Sequence, residues 1–75
     1  MELMDRITVN PEVAFGKPVI RNTRISVQLI VKLLANGVTE DEILTDYYPE
    51  LAKEDIKAAL LYASESLGYE EVILV

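Results

Sequence analysis

Short apolar runs separated by turn residues occupy the first 25 residues. Residues 7–9 (ITV) are β-prone and end at the turn dipeptide Asn10-Pro11, and residues 19–20 (VI) are a second β-prone pair. Residues 21–24 are typical of a tight turn, because Asn22 tolerates a left-handed backbone better than most residues do. The pattern predicts an extended β arm over residues 1–25, with a small hairpin as one arrangement.

A wide apolar face follows in the next twelve residues. Ser26 is a good helix N-cap, and Gly37 after Asn36 is a good C-terminal stop. Between them the apolar side chains recur at helical spacing and fill most of the circumference: Val27, Leu29, Ile30, Val31, Leu33 and Leu34. A helix this apolar is predicted to be covered on more than one side.

The start of the second predicted helix is indicated by capping signals in its first turn. Thr39 and Glu42 have the spacing of a capping box, and Val38 and Ile43 are placed for a hydrophobic staple. The helix must end before Pro49, because the residue that precedes a proline is disfavoured from helical geometry. The pattern therefore predicts a short helix over residues 39–47.

The third predicted helix begins near Ala52 or Lys53 and stops at Gly68. Its expected core stripe is Ile56, Ala59, Leu60, Ala63 and Leu67. Its opposite face is expected to carry Ala58, Leu61 and Tyr62. Residues 69–75 then form a C-terminal tail or strand, and a strand at 72–75 needs a partner edge. The prediction is one mainly α domain over residues 1–75: a β arm (1–25), three helices (26–68) and this tail.

The composition excludes several kinds of site. The 75 residues include no cysteine or histidine, which excludes zinc fingers and Ser-His-Asp or Cys-His nucleophiles. A domain this small without disulfides or zinc commonly gains stability by self-association, so we expect a homodimer. The apolar residues that would anchor it are Ala58, Leu61, Tyr62, Val72 and Ile73. The alternative is that the N-terminal strands or the tail fold back over the exposed face of the third helix.

The formal net charge of −6 is unevenly distributed: residues 1–38 have a net charge of +2 and residues 39–75 a net charge of −8. Lys17, Arg21 and Arg24 are therefore the best candidates for phosphate contacts. Equally, Arg21 or Arg24 could pair with an acid and fix the turn, the candidates being Glu42, Asp46 and Glu50.

The carboxylates favour no catalytic site. Glu42 and Asp46 share a helix face beside Asp41, but no second convergent group accompanies them, so we interpret them as a solvated acidic face. We expect neither enzyme activity nor a cofactor. The chain has no apolar run long enough to span a bilayer and no signal-peptide pattern, so a cytoplasmic protein without membrane contact is expected.

An ordered series of motifs makes the sequence recognisable: GKPVI at 16–20, TRI at 23–25, ANGVT at 35–39, EIL at 42–44, YPEL at 48–51 and EDIKAALLYA at 54–63. Over roughly residues 6 to 65 the chain resembles the domain-of-unknown-function family 433. It departs from the usual family pattern at Asn22, Ser26 and Ala52, and the last of these removes a capping side chain, which weakens the third helix by about 1 kcal/mol.

The resemblance implies a three-helix, homeodomain-like helix-turn-helix domain preceded by short strands, and a frequent association with toxin–antitoxin pairs. The third helix would then offer Lys53, Glu54, Asp55, Lys57 and Leu61 to a partner. Two acids beside phosphates oppose DNA binding, so a helical hairpin used for packing is favoured over direct base contacts. Lys53 and Lys57 remain possible phosphate or partner contacts.

We therefore expect a non-enzymatic regulatory protein, the antitoxin-like member of a toxin–antitoxin pair that binds a PIN-like nuclease. Arg21, Arg24 and the tail at 72–75 are the candidate contacts. The alternatives are a dimeric helix-turn-helix transcriptional regulator that binds DNA, and a dimerisation module.

Overall fold

Two short strands and three helices make up residues 3–67, the part of the chain that the computed structural model describes; of Leu67 only the backbone is included. The predicted helix stop at Gly68 and the predicted tail at 69–75 lie outside these residues. In chain order the elements are a 3₁₀ turn (Leu3–Arg6), β1 (Ile7–Thr8), a second 3₁₀ turn (Ala14–Gly16), β2 (Val19–Ile20), α1 (Val27–Ala35), α2 (Glu40–Glu42, extended by a π-helical turn over Ile43–Tyr47) and α3 (Lys53–Leu67).

The predicted hairpin is confirmed. β1 and β2 pair antiparallel, with Ile7 opposite Ile20. The chain then reverses through the predicted tight turn, where Asn22 has a φ of +64°. Thr23 closes this turn, because both its backbone N–H and its hydroxyl donate to the carbonyl oxygen of Ile20, at 3.0 and 2.7 Å. The turn brings Ser26 alongside β2 and sets the start of α1.

Both predicted ends of α1 are confirmed by their hydrogen bonds. The Ser26 hydroxyl accepts from the backbone N–H of Leu29 at 3.0 Å. At the other end Gly37 has a φ of +91°, and the N–H of Val38 donates to the carbonyl of Leu33 at 3.1 Å. This is a Schellman motif, in which a residue with positive φ satisfies carbonyls that the helix leaves unpaired.

The capping box at the start of α2 is also confirmed. The Thr39 hydroxyl accepts from the N–H of Glu42 at 3.1 Å, and the Glu42 carboxylate accepts from the N–H of Thr39 at 3.0 Å. The helix ends before Pro49, as predicted, but its last turn is π-helical: the N–H of Tyr48 donates to the carbonyl of Ile43 at 2.7 Å. The periodicity of the sequence gives no sign of this wider turn.

The core lies between α1 and α3 and is closed by α2 and the hairpin. Its fully buried side chains include Ile30, Ile43 and Ile56, one from each helix. The apolar face of α3 is rotated from the predicted one. Ala58, predicted on the exposed face, is completely buried, whereas Leu60, predicted in the core, is 41% exposed.

The N-terminal segment explains this rotation. The 3₁₀ turn over Leu3–Arg6 and β1 pack against α3, so α3 is covered along a second strip beside the core. Asp55 and Ala58 lie one turn apart on that strip, and both are buried. The N-terminal segment therefore covers only the Ala58 side of the predicted exposed face and leaves Leu61 exposed, while the tail of the other alternative lies outside the described residues.

A side-chain pair fastens the N-terminal turn to the start of α3. Arg6 Nη1 donates to Asp55 Oδ1 at 2.9 Å, and Asp55 Oδ2 accepts from the backbone N–H of Ala52 at 2.8 Å. Asp55 occupies the third position of α3, so its carboxylate makes half of a capping box although Ala52 has no capping side chain. No helix among the described residues is long and apolar enough to cross a membrane.

Candidate functional site

Arg21 and Arg24 line one open groove of about 940 Å³ between the hairpin turns and the end of α2. We call it the arginine groove. Its apolar lining comes from the arm, from α1 and from the segment after α2: Val9, Val13, Val19, Ile25, Leu29 and Tyr48. The tight turn places the two arginines here, since they flank Asn22 and Thr23, which also line the groove.

Neither arginine is held by a carboxylate. Both side chains are exposed, and among residues 3–67 no salt bridge joins them to an acid. The interpretation in which Arg21 or Arg24 pairs with Glu42, Asp46 or Glu50 is therefore wrong for this part of the chain. Glu50 does line the groove. The two guanidinium groups remain available to an anionic or polar partner.

Lys17, the third basic residue of the arm, lies in a different groove. This one, of about 570 Å³ between α1 and α3, has Lys17 and Lys32 among its lining residues, and we call it the lysine groove. Its apolar walls are formed by Pro18, Val27, Val31, Tyr62 and Ala63. Lys17 Nζ makes one long hydrogen bond, 3.5 Å, to Gln28 Oε1. The structure thus separates Lys17 from the two arginines.

The outer face of α3 differs from the predicted partner surface. Lys53, Lys57 and Leu61 are exposed there, as predicted. Asp55 is buried against Arg6 and is withdrawn from that surface. Glu54 is therefore the acid that accompanies the two lysines in the first turns of α3.

The predicted dimer patch on α3 is only partly available. Ala58 is fully buried, which makes its assignment to an interface wrong, because the N-terminal turn already covers that strip. Tyr62 is half-buried, packs against the core and lines the lysine groove. Leu61 is exposed. The other two residues of the predicted interface, Val72 and Ile73, lie outside the described residues.

The acidic side chains do not converge. Asp41, Glu42 and Asp46 are exposed, and the Glu42 carboxylate is engaged by the N–H and hydroxyl of Thr39. Within residues 3–67 no group of three acidic side chains has the geometry to hold a metal ion. The described part of α2 therefore presents the solvated acidic face that was expected.

Two features of the structure could not be predicted from the sequence. Arg6 binds Asp55 across a separation of 49 residues, which no local pattern signals. Phe15, the only phenylalanine of the chain, is 99% exposed and has a φ of +58°. A left-handed backbone costs a residue with a side chain about 1–2 kcal/mol, so nothing among residues 3–67 offsets either its exposure or its conformation.

Comparison with known proteins identifies the family but no function. Residues 7–63 match the family described as "Protein of unknown function (DUF433)". No curated protein matches the sequence. The fold is similar to the crystal structure of a DUF433 member protein from Anabaena variabilis ATCC 29413, with a TM-score of 0.74 and 40% sequence identity. The match covers 80% of this chain and 58% of that one, so this chain spans less than two thirds of its relative's length. The chain belongs to the DUF433 family.

Proposed function

We propose that this protein is a non-enzymatic regulatory protein of the cytoplasm, the antitoxin-like member of a toxin–antitoxin pair, and that it binds a PIN-like nuclease. The observation that carries the proposal is the arginine groove. It combines an apolar lining with two exposed guanidinium groups that have no carboxylate partner among residues 3–67.

The chemistry of such a groove suits a nuclease partner. A PIN-like nuclease holds metal ions among carboxylates, so an inhibitor must bring cations or apolar groups to that site. Arg21 and Arg24 supply the cations, and planar guanidinium groups bind carboxylates in a bidentate manner. Leu29 and Tyr48 supply apolar surface beside them. The acidic helices, by contrast, would be repelled by the metal-binding carboxylates.

Arginine-to-alanine variants test this contact. We expect Arg21→Ala and Arg24→Ala each to weaken binding to a PIN-like nuclease encoded beside this protein by about 10-fold, and the double variant by about 100-fold, because buried arginines at interfaces are frequent hot spots. Isothermal titration calorimetry gives the affinities, and an RNA cleavage assay gives the inhibition of the nuclease.

Lys53→Ala is the matched control, since Lys53 is an exposed cation at the start of α3 that does not line the arginine groove. It is expected to leave the affinity within about 2-fold. A double arginine variant that binds and inhibits the nuclease as the wild type does would refute the assignment of this groove.

A second function, DNA binding by the helix-turn-helix, is favoured by one observation. Because Arg6 neutralises Asp55, the first turns of α3 expose Lys53 and Lys57 beside a single acid, Glu54. Arg21 lies near the same end of α3, since it shares a small pocket with Arg6 and Asp55. This surface is less acidic than the sequence of α3 indicates.

The salt dependence of binding separates the two functions. If α3 binds DNA, fluorescence anisotropy with a duplex of the protein's own promoter should show an affinity that falls linearly with salt on logarithmic axes. Lys57→Ala should then lower that slope by about 1. An affinity for the duplex that is unmeasurable at low salt, together with tight nuclease binding, would exclude the second function.

A further inference from the structure

Phe15 lies at the centre of a strained turn that points an aromatic ring into solvent. Ala14, Phe15 and Gly16 have φ values of +50°, +58° and +80° in succession. The turn is well defined, because the N–H of Gly16 donates to Val13 and the N–H of Lys17 donates to Ala14, at 3.0 and 3.2 Å. Strained backbone of this kind recurs where a side chain is presented to a ligand or partner.

Nothing among residues 3–67 accounts for the conformation of Phe15. With 99% of its surface exposed, the ring gains no burial among residues 3–67 that would offset the left-handed backbone. Glycine would adopt the same φ without strain. A large apolar ring at this position therefore indicates a contact made outside residues 3–67.

Both grooves have a lining residue two positions from Phe15, Val13 in the arginine groove and Lys17 in the lysine groove, but the lysine groove has fewer polar groups in its lining. Lys17, two residues after Phe15, lines it, and Val27, Val31, Tyr62 and Ala63 provide its apolar walls. Its volume of about 570 Å³ is ample for one aromatic ring. The exposed ring of Phe15 and the lysine groove are thus close in sequence, since Lys17, which lines the groove, follows Phe15 by two residues.

We propose that two copies of this chain form a homodimer in which Phe15 of each copy inserts into the lysine groove of the other. A two-fold axis requires a patch that is complementary to itself, so that one patch must contain both the ring and the groove. The adjacency of Phe15 and Lys17 satisfies this requirement. The proposal is independent of the nuclease and DNA functions.

Charge complementarity favours a second copy as the occupant. Glu12, exposed three residues before Phe15, would approach the Lys17 and Lys32 side chains that flank the opposite groove. None of these three residues is in a salt bridge among residues 3–67. Two rings and the walls that they cover account for about 800 Å² of buried surface. Because this is below the roughly 1,200 Å² that stable interfaces bury, we expect a weak, transient dimer.

Sedimentation analysis of the full chain tests the anchor. We expect Phe15→Gly to raise the dimer dissociation constant by about 100-fold, because each dimer loses two aromatic anchors. The melting temperature of the dilute monomer should not fall, since glycine relieves the strained φ. Tyr47→Ala, which removes another exposed aromatic ring outside the lysine groove, is the control and should leave the dissociation constant unchanged.

Mixing two variants tests where the ring binds. Ala63→Gln places a polar side chain on the groove wall and should weaken the dimer as Phe15→Gly does. Mixed together, the two variants should associate more tightly than either does alone. In the mixed dimer the ring of the Ala63→Gln copy can enter the intact groove of the Phe15→Gly copy. Neither homodimer can form this contact, because one lacks the ring and the other lacks an intact groove. Should Ala63→Gln lower the melting temperature, Ser66→Gln, at the exposed edge of the same groove, replaces it.

Three results would overturn the proposal. They are a wild-type chain that remains monomeric at millimolar concentration, a Phe15→Gly dimer as tight as the wild type, and a mixture that gains no affinity over its components. Restored association in the mixture, together with an unaffected Tyr47→Ala dimer, would establish the reciprocal contact.

Discussion

Ile56→Ala is expected to lower the free energy of unfolding by about 3 kcal/mol, within the range of 2–5 kcal/mol typical of buried isoleucine truncations. Ile56 has no exposed surface and packs in the same cluster as Ile30 and Ile43. A 75-residue domain has a total stability of about 4–11 kcal/mol, so the loss is a large share of the whole. Urea denaturation measures it directly, and the melting temperature should fall by about 12–24 °C.

Leu60→Ala is the matched control on the same helix. Leu60 lies four residues after Ile56 and is 41% exposed, so its truncation should cost no more than about 1 kcal/mol. The comparison decides how α3 is rotated, because the periodicity of the sequence places both residues in the core. Equal losses from the two substitutions would mean that the predicted stripe, and not the observed one, faces the core.

The ends of the helices could be predicted from the sequence because their causes are local. Ser26 and Thr39 cap helices through backbone groups three residues away, and Gly37 ends α1 through a φ that glycine adopts without strain. Pro49 limits α2 for a steric reason that involves only its neighbour. Each signal is complete within four or five residues, so it can be recognised without knowledge of the tertiary contacts.

The face that α3 buries could not be predicted, because it depends on a segment 49 residues away. Ala58 and Leu61 have similar apolar character in the sequence, and its periodicity predicts both on one face of the helix. The N-terminal turn selects between them, since it covers the side of α3 that carries Asp55 and Ala58 and leaves Leu61 exposed. An apolar sector that surrounds most of a helix does not indicate which neighbour covers which side.

The candidate site was predicted as a set of residues but not as an arrangement. The charge distribution singled out Lys17, Arg21 and Arg24, and all three are exposed. Their division between two grooves follows from the tight turn at Asn22 and from Tyr48, which reaches the arginine groove after the π-helical turn. Neither the π-helical turn nor the exposed position of Phe15 has a signature in the pattern of apolar residues.

The two grooves allow two contacts to be made at once. The arginine groove and the lysine groove share no lining residue, so a nuclease bound at the first leaves the second open to another copy of this chain. Dimerisation would also place two arginine grooves in one particle, which raises the apparent affinity for a partner that is itself dimeric. Although the overall charge is −6, the N-terminal half therefore carries two separate basic grooves, the arginine groove and the lysine groove.

Asp55→Ala is expected to lower the free energy of unfolding by about 2–3 kcal/mol, the largest effect among the polar residues described. The substitution removes the bond to Arg6 and the bond to the N–H of Ala52 together. A hydrogen bond to a charged group contributes about 1.5–3 kcal/mol and a helix cap about 1 kcal/mol. The Arg6 side chain is 36% exposed, so water replaces part of the loss and the two contributions do not add in full.

Three variants separate the two roles of Asp55 in urea denaturation. Asp55→Asn can still accept from the N–H of Ala52, and Arg6→Ala leaves that cap intact, so each should cost about half as much as Asp55→Ala. Glu54→Ala removes an exposed neighbouring acid and should change the stability by about 0.5 kcal/mol or less. If Arg6→Ala proved neutral while Asp55→Ala remained costly, Asp55 would act as a helix cap alone, and the pair would not fasten the N-terminal turn to α3.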